Sequence, residues 1–161
     1  MKARADFFAL AIFWLVLDRI TKGLVTSKLS LNQTIPVIQD FFHITYIHNR
    51  GASFGMLKDQ RWLFVLLTLA VVTGIVWSVL KEKSISTPMR LLLGLVSGGA
   101  LGNLIDRLRW GFVVDFIDFR GIWPYIFNVA DIGVIVGGIL FALLYLREDQ
   151  KKESLHDIHK T

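Results

Sequence analysis

Asp115 comes just after the third apolar window and Asp131 just inside the fourth, so the connection at about residues 109–128 can bring both carboxyls to one interface. Two carboxyl groups at close range cannot both ionise comfortably, so they hold one proton between them. The ionised member can polarise a water while the neutral one protonates a carbonyl oxygen, which is peptide hydrolysis without metal or serine. Asp118 competes with Asp115 for this role, and spacing alone does not choose between them. Other chemistries find less support. His43 and His48 are separated by an odd interval, which puts them on opposite faces of a strand, and His156 and His159 fall in a charged tail. No Glu or third His supports either pair as a metal site, so neither a metal nor another cofactor is expected. Ser53 and Ser97 lack a histidine at a matching depth. Cysteine is absent, which excludes disulfides, thiolate metal sites and a cysteine nucleophile.

The elements that must position these carboxyls are membrane helices. The chain has 161 residues, 53% apolar and 19% charged, with a mean hydropathy of +0.53. Soluble domains are only about 45–50% apolar even with glycine counted, and about a quarter charged. A bilayer core about 30 Å thick needs roughly 20 helical residues, and four apolar windows have about that length: 7–25, 62–80, 91–108 and 129–146. Lys2 and Arg4 ahead of the first window resemble the start of a secretory signal. Asp18, Arg19 and Lys22 follow in place of small neutral residues, so a retained helix is expected.

Lys81, Lys83 and Arg90 in the connection 81–90, with Lys2, Arg4, Arg147, Lys151, Lys152 and Lys160 at the ends, place both termini and the tail 147–161 in the cytoplasm. Segments 26–61 and 109–128 then lie on the exported side. In the first, alternation puts Phe42, Ile44 and Tyr46 on one face of a strand, suited to a small sheet resting on the membrane surface. The second, around Val113 to Phe119, is apolar enough to touch lipid headgroups. The expected fold is thus one polytopic α-helical membrane domain of four transmembrane helices with a small β-containing exported segment. The 18 Lys and Arg form no basic stripe interleaved with stacking aromatics, which argues against nucleic acid.

Depth is informative. Asp18, Arg19 and Lys22 sit near the outward end of the first window, Asn103, Asp106 and Arg107 near that of the third, and Asp131 near the start of the fourth. All fall in the exported half, which points to one polar pocket and not a continuous pore. Gly94, Gly98 and Gly102 form a ridge of small residues that admits a second helix, and Gly133 with Gly137 repeats it. Asp18 and Lys22, four apart, can pair and hold helices together. Arg107 needs a carboxylate among Asp106, Asp115 and Asp131. Asp106 reads as a brace. The alternative is a non-enzymatic protein, a small proton-coupled carrier or a helix-packing partner, which predicts ionisable groups in both leaflets.

Five segments carry a resemblance. They are Asp18-Arg19-Ile20-Thr21-Lys22, Asn49-Arg50-Gly51-Ala52-Ser53-Phe54, Gly98 through Arg107, Val113-Val114-Asp115-Phe116, and Phe127-Asn128-Val129-Ala130-Asp131. In this order, across nearly the whole chain, they resemble the lipoprotein signal peptidase (signal peptidase II) family. The resemblance implies an aspartic endopeptidase of the bacterial inner (cytoplasmic) membrane, with Asp115 and Asp131 as the dyad in place of Asp118. It implies diacylglyceryl prolipoprotein substrates cleaved before the lipidated cysteine, and globomycin as an inhibitor. Asp18, Lys22, Asn49, Gly51, Asn103, Arg107, Asn128 and Ala130 match motif positions around the site, while Arg50 is at a variable one. Phe41, Phe42, Phe54, Phe116 and Trp123 are candidates for contacting acyl chains or the signal helix, and membrane lipids are the surroundings. Segment 41–61, with Gly51 and Gly55, is expected to form a lid, and the chain is expected to act as a monomer.

Overall fold

The computed structural model describes residues 4–51, 59–82 and 84–158, except the side chains of 152–158. Ala52, Ser53, Phe54, Gly55 and Lys58, and with them part of the expected lid, lie outside the described residues. So do Lys2, Lys83, His159 and Lys160, and the side chains of Lys152 and His156. The elements run α1 (Ala5–Lys28), β1 (Thr34–Ile38), β2 (Phe42–Asn49), α2 (Arg61–Lys81), α3 (Thr87–Trp110), β3 (Val113–Phe119) and α4 (Val129–Ile158).

Several helix ends have a local cause. In α1, Asp6 in the first turn and Lys28 in the last complement the helix dipole. In α3, Ser86 is extended and Pro88 occupies the first turn, where its missing N–H costs nothing. Its other end stops at Gly111, whose φ of 78° is left-handed and whose N–H returns to the Arg107 carbonyl. The polar connection before α3 is consequently shorter than the expected 81–90. α4 also continues past the expected end at 146, because Arg147, Glu148, Gln150, Lys151 and Lys152 are good helix formers and no Gly or Pro breaks the helix there.

Three of the helices, Arg61–Lys81, Thr87–Trp110 and the Val129–Lys151 part of α4, are long and apolar enough to cross a membrane. Their surfaces are inverted relative to a soluble protein. α1 shows the pattern most clearly: Phe8, Ile12, Phe13, Val16, Ile20 and Leu24 are exposed, whereas Phe7, Ala11, Asp18, Lys22 and Val25 form its buried face. That face is apolar at Phe7 and Ala11, charged at Asp18 and Lys22, and apolar again at Val25. A Cβ on Gly94 would lie 2.6 Å from the Phe7 carbonyl oxygen, and one on Gly98 would meet the carbonyl of Ala11. The glycine ridge therefore lets α3 pack on the α1 backbone, as the small-residue spacing implied.

The sheet has the order β1-β2-β3, with both pairings antiparallel. β3 is a strand that hydrophobicity alone did not reveal. Its Val113, Val114 and Phe116 are buried within the protein and are not turned to headgroups. Between Ile44 and Ile47 the β2 register against β3 shifts at a bulge. Directly paired residues share a face, so Phe42, Ile44, Ile47 and Asn49 join Val113, Asp115, Ile117 and Phe119. Simple alternation would have placed Asn49 opposite Ile44, and the expected Phe42-Ile44-Tyr46 face is broken at the same point. The bulge re-aims the end of the strand.

Candidate active site

Asp115 lies in β3 and Asp131 in the first turn of α4, and an isolated bridge ties β3 to the segment just ahead of α4. Phe127 pairs antiparallel with Ile117 along the free edge of β3, donating its N–H to the Ile117 carbonyl at 3.1 Å. Asn128 follows at once and starts α4 with a reciprocal cap. Its Oδ1 accepts the Asp131 N–H at 2.9 Å, and Asp131 Oδ2 accepts the Asn128 N–H at 3.1 Å. The Asn128 side-chain amide then donates to Asp115 Oδ1 at 2.6 Å. One residue thus touches both carboxyls.

The remaining carboxylate oxygens also accept amide protons. Asn49, turned by the bulge onto the Asp115 face, donates to Asp115 Oδ2 at 2.8 Å. Asn103 on α3 donates to Asp131 Oδ1 at 2.7 Å. Asp115 is only 1% exposed. Burial and then the Asp131 carboxyl push Asp115 up to about 7, against the opposing pull of Asn49, Asn128 and Lys22. Asp118 sits on the other face of β3, where its Oδ2 accepts from Thr45 at 2.7 Å and from Arg120 at 3.2 Å.

Behind the two aspartates lies a buried set of alternating charges. Lys22 Nζ contacts Asp18 at 3.1 Å, Asp106 at 2.8 Å and Asn103 Oδ1 at 2.9 Å. Arg19 reaches Asp18 and Asp106, each at 2.6 Å. Asp18 and Asp106 are fully buried, a state tolerable only because each carboxylate is paired and hydrogen-bonded. Asp18 also accepts the Ala130 N–H at 3.1 Å, so it helps satisfy the N-terminus of α4. Gly102 is required here, since a Cβ on it would stand 2.6 Å from Asp18 Oδ2.

Arg107 has partners other than those the sequence suggested. Its guanidinium donates to the Gly51 carbonyl at 3.2 Å and lies over the Phe64 ring at 4.8 Å. Among the described residues no carboxylate comes within ion-pair distance of it; Asp106 is taken by Arg19 and Lys22 instead. Gly51 in turn donates its N–H to Asn49 Oδ1 at 3.0 Å. A chain of contacts therefore runs from Arg107 through Gly51 and Asn49 to Asp115.

Asp115, Asp131, Asn49, Asn103, Gly51 and Arg107 all line one cavity of about 1020 Å³, whose other walls include Phe64, Phe119, Trp123, Phe127 and Ile132. Ile135 and Val136 of α4 line it too and are exposed on the outer surface, at 52% and 42%. The cavity thus opens sideways on the flank of the bundle. It combines an apolar trough with two carboxyls at its polar end, an arrangement able to hold an apolar substrate segment against an activated water.

Of the residues singled out from sequence, Asp18, Lys22, Asn103, Asn128, Ala130, Asn49, Gly51, Arg107, Asp115 and Asp131 come together here. Phe116 does not, because it packs with Val25 and Val114 in the core beneath the sheet. Phe42 stacks on Phe119, Phe41 meets the same ring at a tilt, and Trp123 lies on the cavity wall. The bulge also puts His43 and His48 on one face, opposite Asp118 and Val114. Four strand residues separate those positions by about 13 Å, too far to share an ion. Phe64 is the contributor sequence reasoning missed, and Arg19, placed in the polar cluster, had no partner assigned to it. Arg19 follows Asp18 directly, about 100° round the helix, and only its length brings it back. Phe64 lies in a charge-free helix that offers no marker.

The family model described as Signal peptidase (SPase) II matches residues 10–147. The lipoprotein signal peptidase of Desulfitobacterium hafniense (strain DCB-2) is 44% identical over 146 residues, covering 91% of this chain and 95% of that protein. That of Clostridioides difficile (strain 630) is 42% identical over 146 residues, covering 90% and 97%. A solved bacterial membrane enzyme, determined by the in meso method at 2.3 Å resolution, superposes with a TM-score of 0.85 at 31% identity, covering 92% of both chains. A second, at 1.9 Å, gives a TM-score of 0.79 at 32% identity, covering 88% and 93%. With its apolar helices, these likenesses make this a multi-pass membrane protein, and the chain belongs to the signal peptidase II family.

Proposed function

We propose that this chain is an aspartic endopeptidase that removes signal peptides from diacylglyceryl-modified prolipoproteins, cleaving before the lipidated cysteine. The observation that carries the proposal is the pair of carboxyls, buried Asp115 and half-buried Asp131, joined by Asn128 at the polar end of a laterally open apolar cavity. The relatives named lipoprotein signal peptidase supply the substrate class.

In the reaction the pair holds one proton. The ionised carboxyl takes a proton from water as its oxygen bonds to the scissile carbonyl carbon, and the neutral carboxyl gives its proton to the carbonyl oxygen. The tetrahedral intermediate collapses as the C–N bond breaks. The carboxyl that took the water proton gives it to the departing amide nitrogen, and the other carboxyl takes a proton back from a hydroxyl of the intermediate, so the pair again holds one. Asn49, Asn103 and Asn128 fix the carboxyl planes before substrate arrives, so little reorganisation is needed at the moment of reaction. The apolar wall receives the signal helix and acyl chains through the side opening, with Trp123 beside them.

α1 is the fourth spanning helix in this reading. Its 24 residues reach about 36 Å at 1.5 Å per residue, its outward face is apolar, and Asp18, Arg19 and Lys22 turn inward to partners. Four spans put both termini on one side, and the Lys and Arg residues of the ends and of the short connection between α2 and α3 favour the cytoplasm for it; the dyad then lies near the outer face of the bacterial inner membrane, with the chain working as a monomer. The test is mass spectrometry of a diacylglyceryl prolipoprotein incubated with the purified protein. Expected are one free signal peptide and one product beginning at the lipidated cysteine; an intact substrate, or a cut elsewhere, contradicts the proposal.

A further inference from the structure

Two buried carboxylates hold the chain immediately ahead of the two candidate catalytic aspartates. Asp18 Oδ1 accepts the N–H of Ala130, the residue before Asp131, at 3.1 Å. Asp106 Oδ2 accepts the N–H of Val114, the residue before Asp115, at 3.2 Å. The distance between Asp18 and Asp106 therefore governs where the backbone presents both aspartates, and these two carboxylates would repel each other without a bridge.

Arg19 supplies that bridge in a fixed geometry. One guanidinium nitrogen, Nη1, donates to Asp106 at 2.6 Å, and the other, Nη2, donates to Asp18 at 2.6 Å and to the Gly102 carbonyl at 3.1 Å. The guanidinium is planar and its N–H directions are rigid, so it sets a separation as well as a charge balance. Lys22 also touches both carboxylates, but its ammonium is a compact point charge with freely turning donors and is shared with Asn103.

We infer that Arg19 is a positioning residue for the hydrolysis: by spanning Asp18 and Asp106 it fixes the separation of Asp115 and Asp131. This rests on the peptidase function proposed above. Arg19 itself does not line the cavity, so it acts through the two amides and not on the substrate. Its loss is expected in the chemical step and not in binding.

The test compares purified Arg19→Lys and Arg19→Gln with the parent on a synthetic diacylglyceryl prolipopeptide, with circular dichroism and thermal unfolding in detergent as controls for folding. Arg19→Lys keeps the charge and loses the rigid fork. It is expected to fold, to keep KM within about twofold and to lose about tenfold or more in kcat, since small misplacements of reacting groups are costly. Arg19→Gln is expected to lose more; if it does not fold, Arg19→Lys decides alone. A folded Arg19→Lys with parental kcat, or with a loss confined to KM, overturns the inference while leaving the peptidase function standing. A parent that does not cleave overturns the function and this inference with it.

Discussion

Asn128 and Asp131 cap one another: the side-chain oxygen of Asn128 takes the Asp131 N–H at 2.9 Å, and the Asp131 carboxylate takes the Asn128 N–H at 3.1 Å. A capping box normally only ends a helix cleanly. Here the capping carboxylate is also one of the two acids facing the cavity, and the free end of the capping amide holds the other, Asp115. Helix initiation and the spacing of the two acids are therefore the same set of bonds.

Asn128→Ala removes the cap and the link together. Loss of the cap costs about 1 kcal/mol of stability, while the loss of turnover is expected to be larger, on the order of a hundredfold, because the Asp115 carboxyl loses an oriented partner and the backbone N–H of Asp131 loses the bond that fixes its turn. Thermal unfolding and turnover measured on one preparation separate the two effects; a loss of stability with unchanged turnover contradicts the linking role.

The raised Asp115 sets a pH dependence of stability. An unfolded aspartate titrates near about 3.9, and in the folded chain Asp115 titrates at about 7. Between these values the folded state binds the extra proton, so this group's contribution is full below about pH 4 and is lost as pH rises to about 7. Asp115→Asn should lack that part of the slope, which detergent unfolding curves between pH 4 and pH 8 would reveal. Identical slopes in parent and variant would refute the assignment.

Glycine positions on α3 and α4 are expected to separate sharply. A Cβ on Gly98 meets the Ala11 carbonyl, whereas one on Gly138 meets nothing within 4 Å. Gly98→Val should destabilise the protein by about 1–3 kcal/mol or more by forcing α1 from α3, while Gly138→Ala leaves its unfolding temperature at or above the parent's. Unfolding midpoints in one detergent check both.

Arg107→Ala leaves Gly51, and through it Asn49, without its anchor. Turnover is expected to fall about tenfold or more through misplacement of Asp115, with unfolding changed less than in Asn128→Ala because no helix cap is lost. Parental kinetics in this variant would show that the contact with Gly51 does not serve the site. Globomycin at saturation is expected to stop cleavage by the parent, and undiminished cleavage would count against the proposed function.

The helices and the one-sided polar cluster were legible because a bilayer imposes length and hides charge, so apolar windows and the depth of Asp18, Asn103 and Asp131 carry the signal. β3 was not, since a strand buried on both faces shows no alternation and its Val-Val-Asp-Phe run reads equally as membrane surface. The bulge after Ile44 has no residue signature either, yet it decides that Asn49 meets Asp115. Partner choice among charges was legible only in part. The pairing of Asp18 with Lys22 follows from their spacing, but nothing along the chain says that Arg19 takes Asp106 or that Arg107 finds a ring and a carbonyl.

The central claim is that Asp115 and Asp131 together perform the hydrolysis. Its most direct measurement is the turnover of a diacylglyceryl prolipoprotein by Asp115→Asn and Asp131→Asn, each shown by circular dichroism to be folded in detergent. The account predicts that each variant alone abolishes cleavage while the parent completes it. Parental turnover in either folded variant would contradict it.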